Sequence, residues 1–442
     1  MNTKSYISSI KIFEDRNYFY PIVLSVVTIL IYYPILGNQI LNGWDDSWQV
    51  VNNYTSNGFA LKNLKEIFTN TLNGQYSPVN QLVYTLVYKV DGYSPIFFHL
   101  LSLLLHLANV ILVFFTIKTI VFQITSINSA NKKDLMLYCF YCAAIFSVHP
   151  LQVEAVAWIS ASKVLLFTFF YLLGTLAFIR FLQTQNYWFY IFTILFFILS
   201  YGSKEQAVTF PVFLILLGGV FGLLKNKFVW LSLLPLFVLC FCFVFYFKSI
   251  SHSYLTESNL FPFWQRPLIA LHSISFISVK WLVPHNLSYL YPIPFRPDEV
   301  LPSPIIFYPV AYFLLLFTFS KLIFQHRVLL FGILFFIIHI LLMSHIVPTP
   351  RITLSADRYM YLSSIGFITI LSFALLKLNK ISNLFRLVCF LLLMLGMGYL
   401  SHNRCKVWYN TQTLCSVISR KDLMDTNANK LHQDQTAKDK LS

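Results

Sequence analysis

Residues 18–48 read YFYPIVLSVVTILIYYPILGNQILNGWDDSW. The first part of this stretch, residues 18–36, carries no charge. It is close to the roughly 20 apolar residues needed to cross a hydrocarbon core about 30 Å thick. It ends without a small-residue cleavage site, so it reads as an anchor and not as a cleaved signal peptide. Immediately beyond it, Asp45 and Asp46 stand between Trp44 and Trp48. A membrane span followed by a pair of carboxylates between two tryptophans sets both the fold class and the chemical question.

The rest of the chain repeats the first half of that pattern. Of its 442 residues 57% are hydrophobic and only 11% charged, with 45 Phe and 26 Tyr. Soluble domains carry about 25% charged residues, so the composition is that of a membrane protein. Apolar runs predict eleven spans, near 18–36, 96–117, 135–148, 164–182, 187–201, 207–224, 228–247, 304–320, 329–346, 364–378 and 385–400. With the N-terminus inside, the inner segments hold 14 Lys and Arg against three acidic residues, and the outer loops up to residue 400 hold 11 against 10. This positive-inside bias accounts for most of the net charge of +15 and speaks against nucleic acid as a partner. Counting residues 265–283 as a further span would invert that bias downstream. They are therefore expected to form a re-entrant or interfacial helix on the outer side, leaving the C-terminus outside.

The expected fold is thus all-α and polytopic, with one membrane domain over residues 1–400 and a short outer tail over 401–442, disordered from about Met424. No internal repeat is evident in the membrane domain. Two outer segments are long, 37–95 and 248–303, and the prolines of the second rule out regular helix over 289–304. The Cys139–Cys142 pair lies in an apolar run and reads as packing. Cys405 and Cys415 could be either a disulfide or free thiols. His99 and His106 share a helical face and read as core residues.

Ionisable groups near a membrane core are costly and therefore functional candidates. Under the derived topology, four clusters reach the outer side: Asp45 and Asp46; His149, Glu154 and Lys163; Lys204 and Glu205; and Arg351, Asp357 and Arg358, with Tyr361 close behind. Together they supply carboxylates to deprotonate a hydroxyl and cations to hold a phosphate. Plainer roles are available for each, such as loop turns for the aspartates, an aromatic belt for the tryptophans and local ion pairs for the rest. Nothing in the sequence fixes a ligand set for a divalent metal.

Six ordered stretches carry a resemblance: GWDDSWQVVNN (43–53), residues 76–112 beginning YSPVNQLVY, FSVHPLQVEAVAWIS (146–160), SKEQAVTFP (203–211), WLVPHNLSYLYP (281–292) and ADRYMYLSSIGF (356–367). The chain resembles GT-C superfamily polyprenyl-phosphate-sugar-dependent glycosyltransferases, and within them the membrane part of the TMTC-type (transmembrane and tetratricopeptide-repeat) protein O-mannosyltransferases and their bacterial relatives. The resemblance implies transfer of a hexose, mannose, from a polyprenyl phosphate to a Ser or Thr hydroxyl of an exported polypeptide. Asp45 or Asp46 would be the base, with Asp45 preferred, and Arg358, Arg351, Lys204 and Lys163 would hold the donor phosphate. His149, Glu154, Glu205, Asp357 and Tyr361 would support them. It further implies a bacterial inner membrane with the site facing the periplasm, and membrane lipid as a partner, with other membrane subunits or translocation machinery as further candidates. Two features depart from the family pattern: Ser162-Lys163-Val164 replaces an Arg-Lys-Asp stretch, and no repeats follow Arg404 and Trp408. Two alternatives stay open, transfer to a lipid or surface glycan, and a non-catalytic membrane scaffold or translocation partner.

Overall fold

The structure, a computed structural model, describes residues 18–124, 132–250, 261–295, 302–346, 353–377 and 382–417. The chain enters through α1 (Phe19–Tyr32), which tightens into a 3₁₀ turn at Tyr33–Gly37. The following segment is not an irregular loop. It folds as α2 (Asp46–Gln49), α3 (Asn53–Ser56), α4 (Leu61–Thr69) and α5 (Pro78–Asp91). Pro78 starts α5 at the first turn, where a missing N–H costs nothing, and Gly92 ends it at φ +56°. Next come α6 (Pro95–Ile124), α7 (Lys132–Val148), the short α8 (Val153–Ala157), α9 (Ser162–Thr184), α10 (Tyr187–Ser203) and α11 (Phe210–Val220). The C-terminal half holds α12 (Lys227–Ile250), α13 (Arg266–Leu282), α14 (Ser303–Gln325), α15 (Arg327–Leu341), α16 (Met360–Lys377), α17 (Asn383–Val407) and α18 (Thr411–Ser416).

Among the described residues seven helical stretches are long and apolar enough to cross a membrane. They comprise α1 with its 3₁₀ extension, α6, α9 with the turn before it, α12, α14, α16 with the turn before it, and α17. The architecture is therefore all-α and polytopic. The other four expected spans fall on shorter or broken elements, and each has a local cause. Pro150 cannot donate to the helix ladder, so the apolar path of α7 bends by 56° into Pro150–Ala157. The polar pair Lys204-Glu205 separates α10 from α11, and Gly222, at φ +74°, turns the chain after α11. An Arg327–Leu341 helix of 15 residues carries the fourth. Residues 266–282 do form a helix, of 17 residues. The tail beyond residue 417 and Arg351 lie outside the described residues.

The centre of the bundle is built from α6, α7, α9 and α16, whose side chains are largely buried. By contrast α1, α12, α14 and α17 bury under a quarter of their apolar length, and their exposed Leu, Phe and Val side chains form the lipid-facing shell. The tightest helix crossing joins α15 to α16. A Cβ on Gly366 would meet the Phe336 backbone nitrogen at 2.8 Å, and one on Gly332 would meet the Gly366 carbonyl at 2.8 Å. Small residues let membrane helices approach backbone to backbone in this way. Among the described residues a two-stranded antiparallel ribbon pairs β1 (Tyr291–Pro292) with β2 (Thr353–Ser355). His99 and His106 are fully buried, and Cys405 and Cys415 are both free thiols.

Because the atoms facing Gly366 are backbone, they cannot yield. Gly366→Ala is expected to destabilise the protein by about 1–3 kcal/mol. Gly396→Ala, whose added Cβ meets nothing within 4 Å, should be neutral or slightly stabilising. Thermal unfolding of the two variants in detergent micelles distinguishes them.

Candidate active site

The polar end of the bundle is assembled by three buried carboxylates, each accepting hydrogen bonds from a different part of the chain. The first is Asp46. Gly43 turns the chain at φ +75°, which starts α2 and swings the Asp46 side chain inward. One carboxylate oxygen accepts from the Leu41 N–H at 3.0 Å. The other accepts from the Ser160 N–H at 2.9 Å and from the Ser160 hydroxyl. The group thereby joins the loop after α1 to the turn before α9. Burial pushes its pKa up to about 6, against the three hydrogen bonds that pull it down and with a small upward push from Asp45.

The second is Glu154, fully buried on α8. It accepts from the Arg358 backbone N–H at 3.2 Å and from the Arg358 guanidinium. Arg358 in turn sits 5.2 Å from the ring centroids of both Trp158 and Tyr359, a cation–π arrangement on two aromatic neighbours. The third is Asp357. It accepts from the Tyr291 hydroxyl at 2.8 Å and from Arg404 at 2.6 Å, while Arg404 also donates to the Leu287 carbonyl at 2.8 Å.

Asp45 is different. Its side chain is half-buried and accepts one hydrogen bond, from the Gln49 amide at 3.2 Å. The oxygen of the Gln49 amide accepts from the Lys163 ammonium at 3.2 Å, and Lys163 also donates to Gln75. The two glutamines are themselves linked at 3.2 Å. Lys163 stands at the start of α9 within electrostatic reach of Asp45, Lys204, Glu205 and Arg358, and Arg358 is likewise within reach of Asp45. Lys204 and Glu205 form an ion pair at 3.9 Å. A recess beside Arg358, lined by Gln206, Thr209, His339 and Ser363, has room for about one water molecule. A sugar would need the surrounding segments to part.

Of the residues singled out from sequence, the structure brings together Asp45, Asp46, Glu154, Lys163, Lys204, Glu205 and Arg358. It places three elsewhere. The Tyr361 hydroxyl points into the core, 2.7 Å from His106 Nδ1, and accepts from Asn109 at 3.2 Å. The His149 ring stacks on Trp281 at 4.8 Å, pairs with the Trp281 carbonyl at 3.0 Å and accepts from the Leu151 N–H. Asp357 faces Arg404 and Tyr291 and not the recess. Sequence reading missed Gln49, Gln75, Ser160 and Trp158. Each is an ordinary residue type within or beside a quoted motif, and only proximity gives it a role. Among the described residues no group of three or more His, Cys, Asp or Glu is placed to hold a metal ion.

Residues of this chain are 28% identical over 202 positions to the protein O-mannosyl-transferase F38B6.6 of Caenorhabditis elegans, covering 43% of this chain and 27% of that protein. They are also 28% identical over 148 positions to human protein O-mannosyl-transferase TMTC1, covering 31% of this chain and 15% of that one. The Tmtc1 protein O-mannosyl-transferase of Drosophila melanogaster matches at 28% over 137 positions, again 31% and 15%. These partial matches support a relationship to TMTC-type protein O-mannosyltransferases. The matched stretch spans about a quarter or less of each relative's length. No protein-family model and no solved structure matches the chain.

The Asp46 arrangement makes a pH-dependent prediction. Its pKa in the folded protein lies above the unfolded value of 3.8, so the stability this group contributes is present below about pH 4 and is lost as pH rises through about 6. Asp46→Asn should abolish that slope. Asp46→Ala should cost about 2–4 kcal/mol, because it strands the Leu41 and Ser160 donors. Melting temperatures measured from pH 4 to pH 7 test both.

Proposed function

We propose that this chain is a membrane glycosyltransferase of the GT-C type that moves a hexose, mannose, from a polyprenyl phosphate to a Ser or Thr hydroxyl of an exported polypeptide. The observation that carries the reading is Asp45, an accessible carboxylate held by Gln49 and set within electrostatic reach of Lys163 and Arg358. A base and two cations at one rim is what displacement at a sugar phosphate requires. The names of the similar proteins favour mannose and a protein acceptor. The basic inner loops favour a site on the outer face, towards the periplasm if the membrane is a bacterial inner membrane.

In the proposed step the Asp45 carboxylate takes the proton of the acceptor hydroxyl. The oxygen forms a bond to the anomeric carbon as the bond from that carbon to the phosphate oxygen breaks, and the electron pair leaves with the polyprenyl phosphate. Lys163 and Arg358, with Lys204, stabilise the charge that develops there. Asp46 does not reach the substrate in this scheme. Its oxygens are occupied by Leu41 and Ser160, and it holds α2 so that Asp45 faces outward. Glu154 holds Arg358 in the same sense. A scaffold would have no use for an accessible carboxylate beside two cations, whereas a lipid or glycan acceptor would use the same base.

Purified protein supplied with polyprenyl-phosphate-mannose and Ser/Thr-containing peptides, read by mass spectrometry, tests the scheme. Asp45→Asn is expected to cut transfer by about 10²–10⁴-fold without changing the melting temperature. Transfer equal to wild type would remove Asp45 as the base. No transfer to peptide by the wild type, but transfer to a lipid or glycan, would move the acceptor class. No transfer to any of them would favour the scaffold.

A further inference from the structure

The segment after α17 does not run away from the bundle but folds back against the loop that leads to Asp45. Asn38 donates to the Cys405 carbonyl at 3.1 Å, the Gln39 N–H donates to the Tyr409 carbonyl at 2.8 Å, and the Thr411 hydroxyl donates to the Asn42 carbonyl at 2.8 Å. Residues 38–42 lead directly into Asp45. A reciprocal capping box between Asn410 and Thr413 starts α18 and keeps this return stiff. At its centre Trp408 is almost fully buried and stacks on Trp158 with centroids 5.6 Å apart and ring planes at 19°. Trp158 is also the ring beneath the Arg358 guanidinium. One turn earlier, Arg404 holds Asp357, the neighbour of Arg358 in the chain.

We propose that residues 404–411 are a strap that positions the site, with Trp408 as its central positioning residue. The role assigned to the site rests on the reading of Asp45 and Arg358 above. The strap touches three separate parts: the loop that carries Asp45, the turn that precedes Lys163, and the turn before α16 that carries Arg358. These parts come from distant stretches of sequence, and Trp408 stands between the residues that reach them, with Arg404 and Cys405 before it and Tyr409 and Thr411 after it. Neither indole N–H of the Trp158–Trp408 pair has a hydrogen-bond partner among the described residues. Burying an unpaired donor is unfavourable, so the pair is held by stacking and shape and contributes alignment more than polar bonding. The strap does not touch the reacting atoms. It sets the distance between base and cations, which a shift of about 1 Å would degrade strongly.

A residue that merely fills the core would loosen everything or nothing, and that difference is measurable. Hydrogen–deuterium exchange of the full purified chain is followed for wild type, Trp408→Phe, Trp408→Ala and Thr411→Val. Trp408→Ala is expected to raise exchange about tenfold in residues 38–51 and 158–162, with the centres of α9 and α16 unchanged. Trp408→Phe should retain most of the protection, and Thr411→Val should loosen residues 38–51 alone. Loosening confined to 404–417, or no change in 38–51 for Thr411→Val when Trp408→Ala is loosened throughout, would overturn the proposal. Where the wild type transfers sugar, Trp408→Ala should lower kcat with little change in acceptor KM, and Trp408→Phe should restore it. If the wild type transfers nothing, the functional reading falls while the exchange pattern still decides the strap.

Discussion

A carboxylate removed from water must be paired or hydrogen-bonded, and the polar end of this bundle is organised by three that are. Asp46 draws in Leu41 and Ser160, Glu154 draws in Arg358 by side chain and backbone, and Asp357 draws in Arg404 and Tyr291. Apart from Leu41, five residues before Asp46, each partner lies far away in sequence. Leaving any of these charges unpaired would cost more than the pair itself contributes, so the three groups enforce one arrangement of the loops. Apolar packing, including the Trp158–Trp408 stack, also holds the segments at this end, but hydrophobic burial alone discriminates poorly between arrangements of helices surrounded by lipid.

That scaffold explains why two adjacent aspartates have different environments. Asp46 is saturated with donors and fully buried, and Asp45, one residue earlier, is turned towards the rim with a single amide donor. Opposite facing follows from α2 beginning at Asp46 after the glycine turn. One aspartate anchors the loop and leaves the other accessible. The same division of labour recurs at Glu154 and Arg358, where a buried acid holds a cation that keeps some exposure, 18% for the arginine side chain against 0% for the acid.

The glutamines add a further layer. Gln49 bridges Asp45 and Lys163, so the carboxylate and the ammonium are linked through a neutral amide. A direct ion pair would neutralise both groups against each other. An intervening amide keeps a carboxylate and an ammonium close without pairing them directly.

Much of this protein was written locally. Predominantly apolar runs with basic segments between them determined a helical membrane bundle, because a chain in hydrocarbon must satisfy its backbone internally. Each of the eleven apolar runs overlaps a helix, seven of these helical stretches being long and apolar enough to cross a membrane, and His-Pro and Lys-Glu mark where two of the helices break or end. The position of the acidic pair just past a span marked the end of the bundle that carries polar groups. Tertiary structure alone decided which aspartate is only half-buried, that Tyr361 and His149 turn to core partners, and that Gln49, Trp158 and Trp408 stand beside the charged groups. Glutamine and tryptophan have no pattern that sets them apart in sequence. What they do depends on groups brought to within a few ångströms by helices that begin a hundred or more residues away.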